Sequence, residues 1–109
     1  MKISACVITK NEAENLPRWL ASMRVFADEM IVVDTGSQDA TVEIAREGGA
    51  KVFHFTWIND FAAAKNYALD KARGDWIVFT DADEYFTEES AERVRPLIEE
   101  YSTREKFDG

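Results

Sequence analysis

Four short runs of apolar and β-branched residues alternate along this chain with segments of helical spacing. The runs cover residues 3–9, 29–34, 50–55 and 75–80. Their composition is typical of strands buried on both faces. Strands that alternate with helices predict an α/β fold with a parallel sheet. Because crossover connections are right-handed, the simplest strand order is 3-2-1-4, the first half of a doubly wound sheet.

The boundaries of the intervening helices follow from capping residues. Asp39, Asp60 and Thr87 each stand where a side-chain oxygen can cap a helix that follows, and Gly74 ends the third helix. Pro96 interrupts the last helical pattern, so we predict a kink or a break there.

Composition excludes several classes of protein. The 109 residues suit one domain, and 46% hydrophobic content supports a core. A net charge of −8 argues against a nucleic-acid partner or an anionic membrane surface. No apolar run has the length of a transmembrane segment. A single cysteine cannot form an internal disulfide, so a reducing, cytoplasmic setting is expected.

Acidic residues follow three of the predicted strands. Glu12 comes shortly after the first strand, Asp34 ends the second, and Asp81 and Asp83 follow the fourth. Since the carboxyl ends of parallel strands share one edge, we expect these carboxylates to converge and to raise one another's pKa. A divalent cation would resolve that repulsion. No glycine-rich phosphate loop follows the first strand, so we predict a nucleotide diphosphate bound through the metal.

Four segments then carry a family resemblance. They are ISACVITKNEAENLPRWL, IVVDTGSQDATVEIA, WINDFAAAKNYALDKARGDW and the Asp81-Ala82-Asp83 triplet. In this order they resemble the donor-binding, N-terminal half of inverting family 2 glycosyltransferases. The resemblance implies a GT-A fold of the nucleotide-diphospho-sugar transferase type, a Rossmann-like three-layer sandwich with a mainly parallel sheet. Residues 1–109 would form one partial, truncated domain. It also looks like a bacterial subgroup whose members carry helical repeats or modify peptides and cell-surface glycans.

The resemblance also implies roles for individual residues. Thr9 and Glu12 would line the nucleotide pocket, Asp34 would receive the edge of a uracil-type base, and Lys65, followed by Asn66, would lie beside the diphosphate. Asp81 would lie on the ribose side and near the metal, and Asp83 would ligate the metal.

The implied activity is that of a metal-dependent, hexosyltransferase-like enzyme. The donor would be a UDP-sugar held through manganese or magnesium, and transfer would invert the anomeric centre. The acceptor, a glycan, lipid or peptide, is not readable from the sequence, and the enzyme could act at the inner membrane face. The family's catalytic base lies in the second half of the domain, so we expect no transfer by this chain alone.

Two other functions stay open from the residues alone. One is a binding module that holds a nucleotide without reaction. The other is a phospho-acceptor receiver domain, which is disfavoured because the first strand ends in Thr9-Lys10 rather than in an acid pair.

Several residues also have a simple structural interpretation. Lys65 could be an exposed helix residue, Cys6 is expected to be an inert core thiol, and His54 is placed away from the site. Trp57 and Phe61 are interpreted as core or lid packing. The fourth strand is an apolar sheet edge, which predicts a homodimer through that strand.

Overall fold

A computed structural model describes residues 1–108, with side chains described as far as Tyr101. The strands are β1 (Ile3–Thr9), β2 (Glu29–Asp34), β3 (Lys51–His54) and β4 (Trp76–Phe79). The helices are α1 (Leu16–Arg24), α2 (Thr41–Glu47), α3 (Phe61–Lys71) and α4 (Glu88–Asp108). The alternation predicted from sequence is confirmed, with β3 and β4 each one residue shorter at both ends.

The four strands form one parallel sheet in the order β3-β2-β1-β4, as predicted. Alternate residues of β1 face opposite layers. Ala5 and Val7 pack with α1, α2 and α4, whereas Cys6 packs with Ala68 of α3. The molecule is therefore a three-layer sandwich, and both faces of the central strands are covered.

The cap predictions are confirmed for two helices. The Asp60 side chain accepts a hydrogen bond from the Ala63 amide at 3.1 Å, and Thr87 accepts one from the Ser90 amide at 3.2 Å. Asp39 differs, because the residue at the cap position of α2 is Ala40. Asp39 instead accepts from the amide and hydroxyl of Thr41, two residues ahead, as in an Asx-turn.

Of the kink or break predicted at Pro96, the break is wrong, since α4 continues through this residue. Contacts of the neighbouring turns explain the continuity. Ala91 is fully buried, and Val94 and Ile98 pack against the core. Arg95 donates hydrogen bonds to the Phe26 carbonyl at 2.8 Å and to Asp28 at 2.7 Å. These contacts outweigh the one backbone hydrogen bond that proline cannot make.

Gly74 shows why the turn before β4 needs a glycine. A Cβ at this position would lie 2.5 Å from the Ser4 hydroxyl and 2.7 Å from the Ser4 amide. The α3–β4 turn therefore packs directly on the start of β1.

Within the described residues, no helix has both the length and the apolar character needed to cross a bilayer.

Candidate functional site

The carboxyl ends of three strands meet at one edge of the sheet. Thr9, Asp34 and His54 are register partners across β1, β2 and β3. The prediction that His54 lies away from the site is therefore wrong. Parallel register, which brings the last residue of β3 beside the last residue of β2, is the signal that could have placed it.

Asp34 is buried and holds the β2–α2 loop in place. Its Oδ1 accepts from the Thr9 hydroxyl at 2.9 Å and from the Ser37 hydroxyl at 2.5 Å. Its Oδ2 accepts from the amides of Ser37 at 2.9 Å and Gly36 at 3.1 Å. Gly36 has a φ of 114°, a conformation that other residues rarely adopt. The four hydrogen bonds use the whole acceptor capacity of the carboxylate.

The same hydrogen bonds set the charge state of Asp34. Burial alone would raise its pKa, but the donations from Ser37, Thr9 and Gly36 outweigh burial and lower the pKa below 3.8. The expectation that neighbouring carboxylates raise this pKa is wrong for Asp34. The polar donors of its own loop solvate the charge.

The β1–α1 loop is joined to the β2–α2 loop by further hydrogen bonds. Asn11, whose φ is 54°, donates its amide to the Ser37 hydroxyl at 2.8 Å and accepts from the Gln38 amide at 2.7 Å. The Glu12 amide donates to the Thr41 hydroxyl at 2.8 Å. Two loops that flank one crevice are thus fixed to each other before any ligand binds.

Two adjoining cavities lie at this edge. The β2–β3 cavity has a volume of about 260 Å³ and is lined by Asp34, Thr35, Gly36, His54 and Trp57, among others. The β1–β2 cavity has a volume of about 230 Å³, and its lining includes Thr9, Lys10, Glu12, Thr35, Trp57 and Phe61. Thr35 and Trp57 line both cavities, so the two spaces share a wall. A larger cavity, of about 430 Å³, lies between α1 and the start of α4 and shares no lining residue with these two.

Trp57 and Phe61 are not core residues. Trp57 is 40% exposed and Phe61 is 51% exposed, and both border the β1–β2 cavity. Of the two alternatives predicted for these rings, core packing is wrong. Lid packing stays a prediction, and the position of both rings at the rim of the crevice is compatible with it. Lys10 is a further cavity residue that sequence reasoning did not select. Its place directly after β1 was the available signal.

The remaining predicted residues lie outside the two cavities. Lys65 and Asn66 are exposed on α3, and the Lys65 ammonium lies 5.2 Å from the centre of the Phe79 ring at the end of β4. Asp81 and Asp83 are exposed in the segment after β4. The structure thus brings Thr9, Glu12 and Asp34 together around the cavities, and places the other four towards the β4 side.

The donor groups at this edge determine whether a metal ion fits there. Through Tyr101, no three side chains of His, Cys, Asp or Glu gather into a cluster that could hold a metal ion by itself. The predicted convergence of the three acidic loops on one metal site is therefore not found among the described residues. Asp81 and Asp83 are two exposed carboxylates, which is the donor number magnesium commonly takes when phosphate oxygens complete its shell. The residues fit a metal shared with a bound diphosphate.

The fold, the strand-end loops and this arrangement define the class of the protein. Residues 4–104 match glycosyl transferase family 2, and the chain belongs to this family. A TPR repeat-containing protein of Synechococcus elongatus is 48% identical over 99 residues, which cover 91% of this chain and 25% of that protein.

Two solved structures superpose on most of the chain. Residues 1–349 of S. aureus TarS, in complex with UDP, match with a TM-score of 0.76 and 30% identity over 92% of this chain and 32% of that one. Glucosyl-3-phosphoglycerate synthase from Mycobacterium tuberculosis, with Mn²⁺, UDP and glucosyl-3-phosphoglycerate, matches with a TM-score of 0.65 and 27% identity over 74% of this chain and 33% of that one. The chain therefore spans about a fifth to a third of the relatives and solved chains that it matches, and its fold is of the GT-A type.

Proposed function

We propose that residues 1–109 are the donor-binding part of a metal-dependent glycosyltransferase that uses a UDP-sugar. The observation that carries this is the pair of adjoining cavities at the carboxyl edge of the sheet, bounded by Asp34, Thr35 and Trp57. Ligands of open α/β sheets bind at this edge. The UDP in the TarS complex and the UDP with Mn²⁺ in the mycobacterial synthase support the choice of nucleotide.

We place the uracil base of the nucleotide in the β2–β3 cavity. The exposed ring of Trp57 offers a flat apolar wall, and Asp34, Thr35 and His54 supply polar groups. Because the Asp34 carboxylate already accepts four hydrogen bonds, an N–H of the base can reach it only when a hydroxyl of Thr9 or Ser37 turns away. Thr9 and Glu12 line the adjoining β1–β2 cavity, into which the ribose would extend from the uracil base.

The diphosphate is assigned to the β4 side of the edge. Lys65 carries an exposed ammonium there, Asn66 is next to it on α3, and Asp81 and Asp83 follow β4. Asp83 and Asp81 would hold Mn²⁺ or Mg²⁺, which would supply positive charge against the negative charge of the departing diphosphate. The chain's own contribution is to hold the two carboxylates and the Lys65 ammonium around that group.

In the proposed reaction an acceptor hydroxyl would attack the anomeric carbon, with inversion, and would give its proton to a general base. The bond between the anomeric carbon and the diphosphate oxygen would break, and its electron pair would leave on the diphosphate. We assign no described residue as the general base. About two thirds or more of each relative lies outside the matched region, and we place the base and the acceptor surface there. The acceptor is accordingly a glycan, lipid or peptide that these residues do not select. We expect the cytoplasm as the compartment, because Cys6 is a free thiol.

Titration calorimetry tests this function. UDP is titrated into the chain with MnCl₂ and, separately, with EDTA. We expect binding in both titrations and tighter binding with Mn²⁺, and Asp83→Asn should remove only the Mn²⁺-dependent gain. Asp70→Asn is the matched control, since Asp70 is an exposed aspartate near the far end of α3. Absence of UDP binding in both titrations would contradict the proposed function.

A further inference from the structure

Helix α1 contacts the chain on both sides of the segment Asp81–Glu84, here called the acidic loop. On the near side, the indole nitrogen of Trp19 donates to the Thr80 hydroxyl at 2.8 Å. Trp19 is fully buried, and the Thr80 amide also donates to the Cys6 carbonyl at 3.3 Å. The residue before Asp81 is therefore held by both α1 and β1.

On the far side, Ser22 of α1 makes a reciprocal pair of hydrogen bonds with Phe86. The Ser22 hydroxyl donates to the Phe86 carbonyl at 3.1 Å and accepts from the Phe86 amide at 2.8 Å. The guanidinium of Arg18 lies 4.9 Å from the centre of the Tyr85 ring. Arg18 and Ser22, four residues apart on one face of α1, thus hold the two residues that follow the acidic loop.

The acidic loop between these anchors has one buried residue with an exposed aspartate on either side of it. Ala82 is only 6% exposed and belongs to the core, whereas Asp81 and Asp83 on either side of it are exposed. The turn is closed by the Glu84 amide, which donates to the Asp81 carbonyl at 3.0 Å, and by the Asp81 amide, which donates to the Glu84 carboxylate at 2.8 Å. Because Ala82 packs into the core, the aspartates on either side of it lie on the exposed surface of the turn.

We infer that Trp19 and Ser22 are positioning residues, which fix the direction in which Asp81 and Asp83 present their carboxylates to a metal-bound diphosphate. This inference rests on the proposed function. Neither side chain lines the cavities assigned to the nucleotide, so both act through the backbone of the acidic loop. A loop fixed in advance loses no ordering entropy on binding, which raises affinity for the metal complex.

The test compares UDP affinity with Mn²⁺ and with EDTA in variants of α1. Ser22→Ala removes both hydrogen bonds to Phe86. Ser22→Thr keeps the hydroxyl, and its added methyl has room because Ser22 borders the cavity of about 430 Å³. Leu20→Val is the control on the same helix, since Leu20 points to Gly48 at the end of α2. Thr80→Val probes the other anchor independently, and circular dichroism verifies folding of each variant.

We expect Thr80→Val, which loses one hydrogen bond, to reduce the Mn²⁺-dependent gain in UDP affinity by about fivefold. Ser22→Ala, which loses two hydrogen bonds, should reduce this gain by at least as much. Affinity in EDTA should stay unchanged, and Ser22→Thr and Leu20→Val should keep the full gain. A purely structural role would weaken both titrations equally, and that result, or an unchanged gain in both Ser22→Ala and Thr80→Val, overturns the inference. A wild-type chain that binds UDP without any Mn²⁺ gain would overturn the proposed metal role as well.

Discussion

The hydroxyl of Ser4 on β1 donates a hydrogen bond of 2.5 Å to the carboxylate of Glu29 on β2. The Arg73 amide donates to the same carboxylate at 2.6 Å and the Lys51 ammonium at 3.0 Å. Burial would raise the pKa of Glu29, but these donors outweigh burial and lower the pKa from 4.5 to about 2. This buried charge joins β1, β2, β3 and the α3–β4 turn at the edge opposite the candidate site.

Glu29 should make stability depend on pH in acid. Because its pKa is lower in the folded chain, its contribution is complete above about pH 4.5 and is lost as pH falls towards 2. A shift of this size corresponds to roughly 3 kcal/mol. Urea unfolding from pH 7 to pH 2.5 should show that wild type is more stable than Glu29→Gln at neutral pH and that this difference in the free energy of unfolding decreases as the pH falls. Glu43→Gln, on the exposed face of α2, should follow the wild-type curve, and a constant difference for Glu29→Gln would contradict the prediction.

The sequence predicts the sheet order better than it predicts the site. Strand order follows from apolar runs and the handedness of crossovers, and both depend on patterns spread over many residues. The position of Pro96 within a continuous α4 could not be predicted, because tertiary contacts of Arg95 and Ala91 decide it.

The same distinction between what a sequence pattern indicates and what tertiary contacts decide applies to the candidate site. The identity of Asp34 is readable at a strand end, but the use of its whole carboxylate by Thr9, Ser37 and Gly36 depends on side-chain geometry. Likewise the exposure of Trp57 follows from the path of the β3–α3 loop, which no periodicity specifies. Residue type can thus indicate where chemistry lies, whereas the partners of each group appear only in the fold.

Cys6 should resist alkylation in the native chain. Burial, with a smaller effect of the Glu29 carboxylate, raises the pKa of its thiol from 9.0 to about 12. The reactive thiolate is therefore scarce at pH 8, and the side chain is fully buried. Iodoacetamide followed by mass spectrometry should show no modification of native protein and complete modification in urea. Because Cys6 is the only cysteine, any rapid native labelling would refute the prediction directly.

Trp57 should report base binding by fluorescence. Its ring is 40% exposed and borders both cavities, whereas Trp19 is fully buried and Trp76 packs against the core. Uridine should therefore change the emission of wild type and of Trp76→Phe but not of Trp57→Phe. Trp57→Ala should weaken uridine binding by about tenfold, as expected for a lost stacking partner. Equal affinity of wild type and Trp57→Ala would exclude a stacking role.

Asp34 should affect base binding with or without metal. Asparagine at this position presents an NH₂ group to donors that now meet an oxygen, so the β2–α2 loop loses part of its support. We expect Asp34→Asn to weaken uridine binding by about tenfold or more. Titrations with and without Mn²⁺ should show the same loss, and Asp70→Asn should show none. A loss confined to the Mn²⁺ titration would instead assign Asp34 to the metal.

The edge of β4 should support self-association of the 109-residue chain. Through Tyr101, β4 pairs with β1 alone, and its four residues, Trp76–Phe79, include no charge or proline that would discourage pairing. Val78 packs into the core, whereas Ile77 is 39% exposed, so Ile77→Lys adds a charge at the edge without removing a core residue. Sedimentation velocity over a concentration series should show a dimer or larger species for wild type.

Two lysine variants distinguish association through the β4 edge from association through any exposed apolar surface. Ile77→Lys should shift the equilibrium to monomer, because a charge on an edge strand opposes pairing with a second strand. Ile58→Lys is the control, since Ile58 is 61% exposed in the β3–α3 loop and lies on no strand. If both lysine variants dissociate the dimer equally, exposed apolar surface rather than the strand edge drives association. If wild type stays monomeric at every concentration, the edge is not an interface at all.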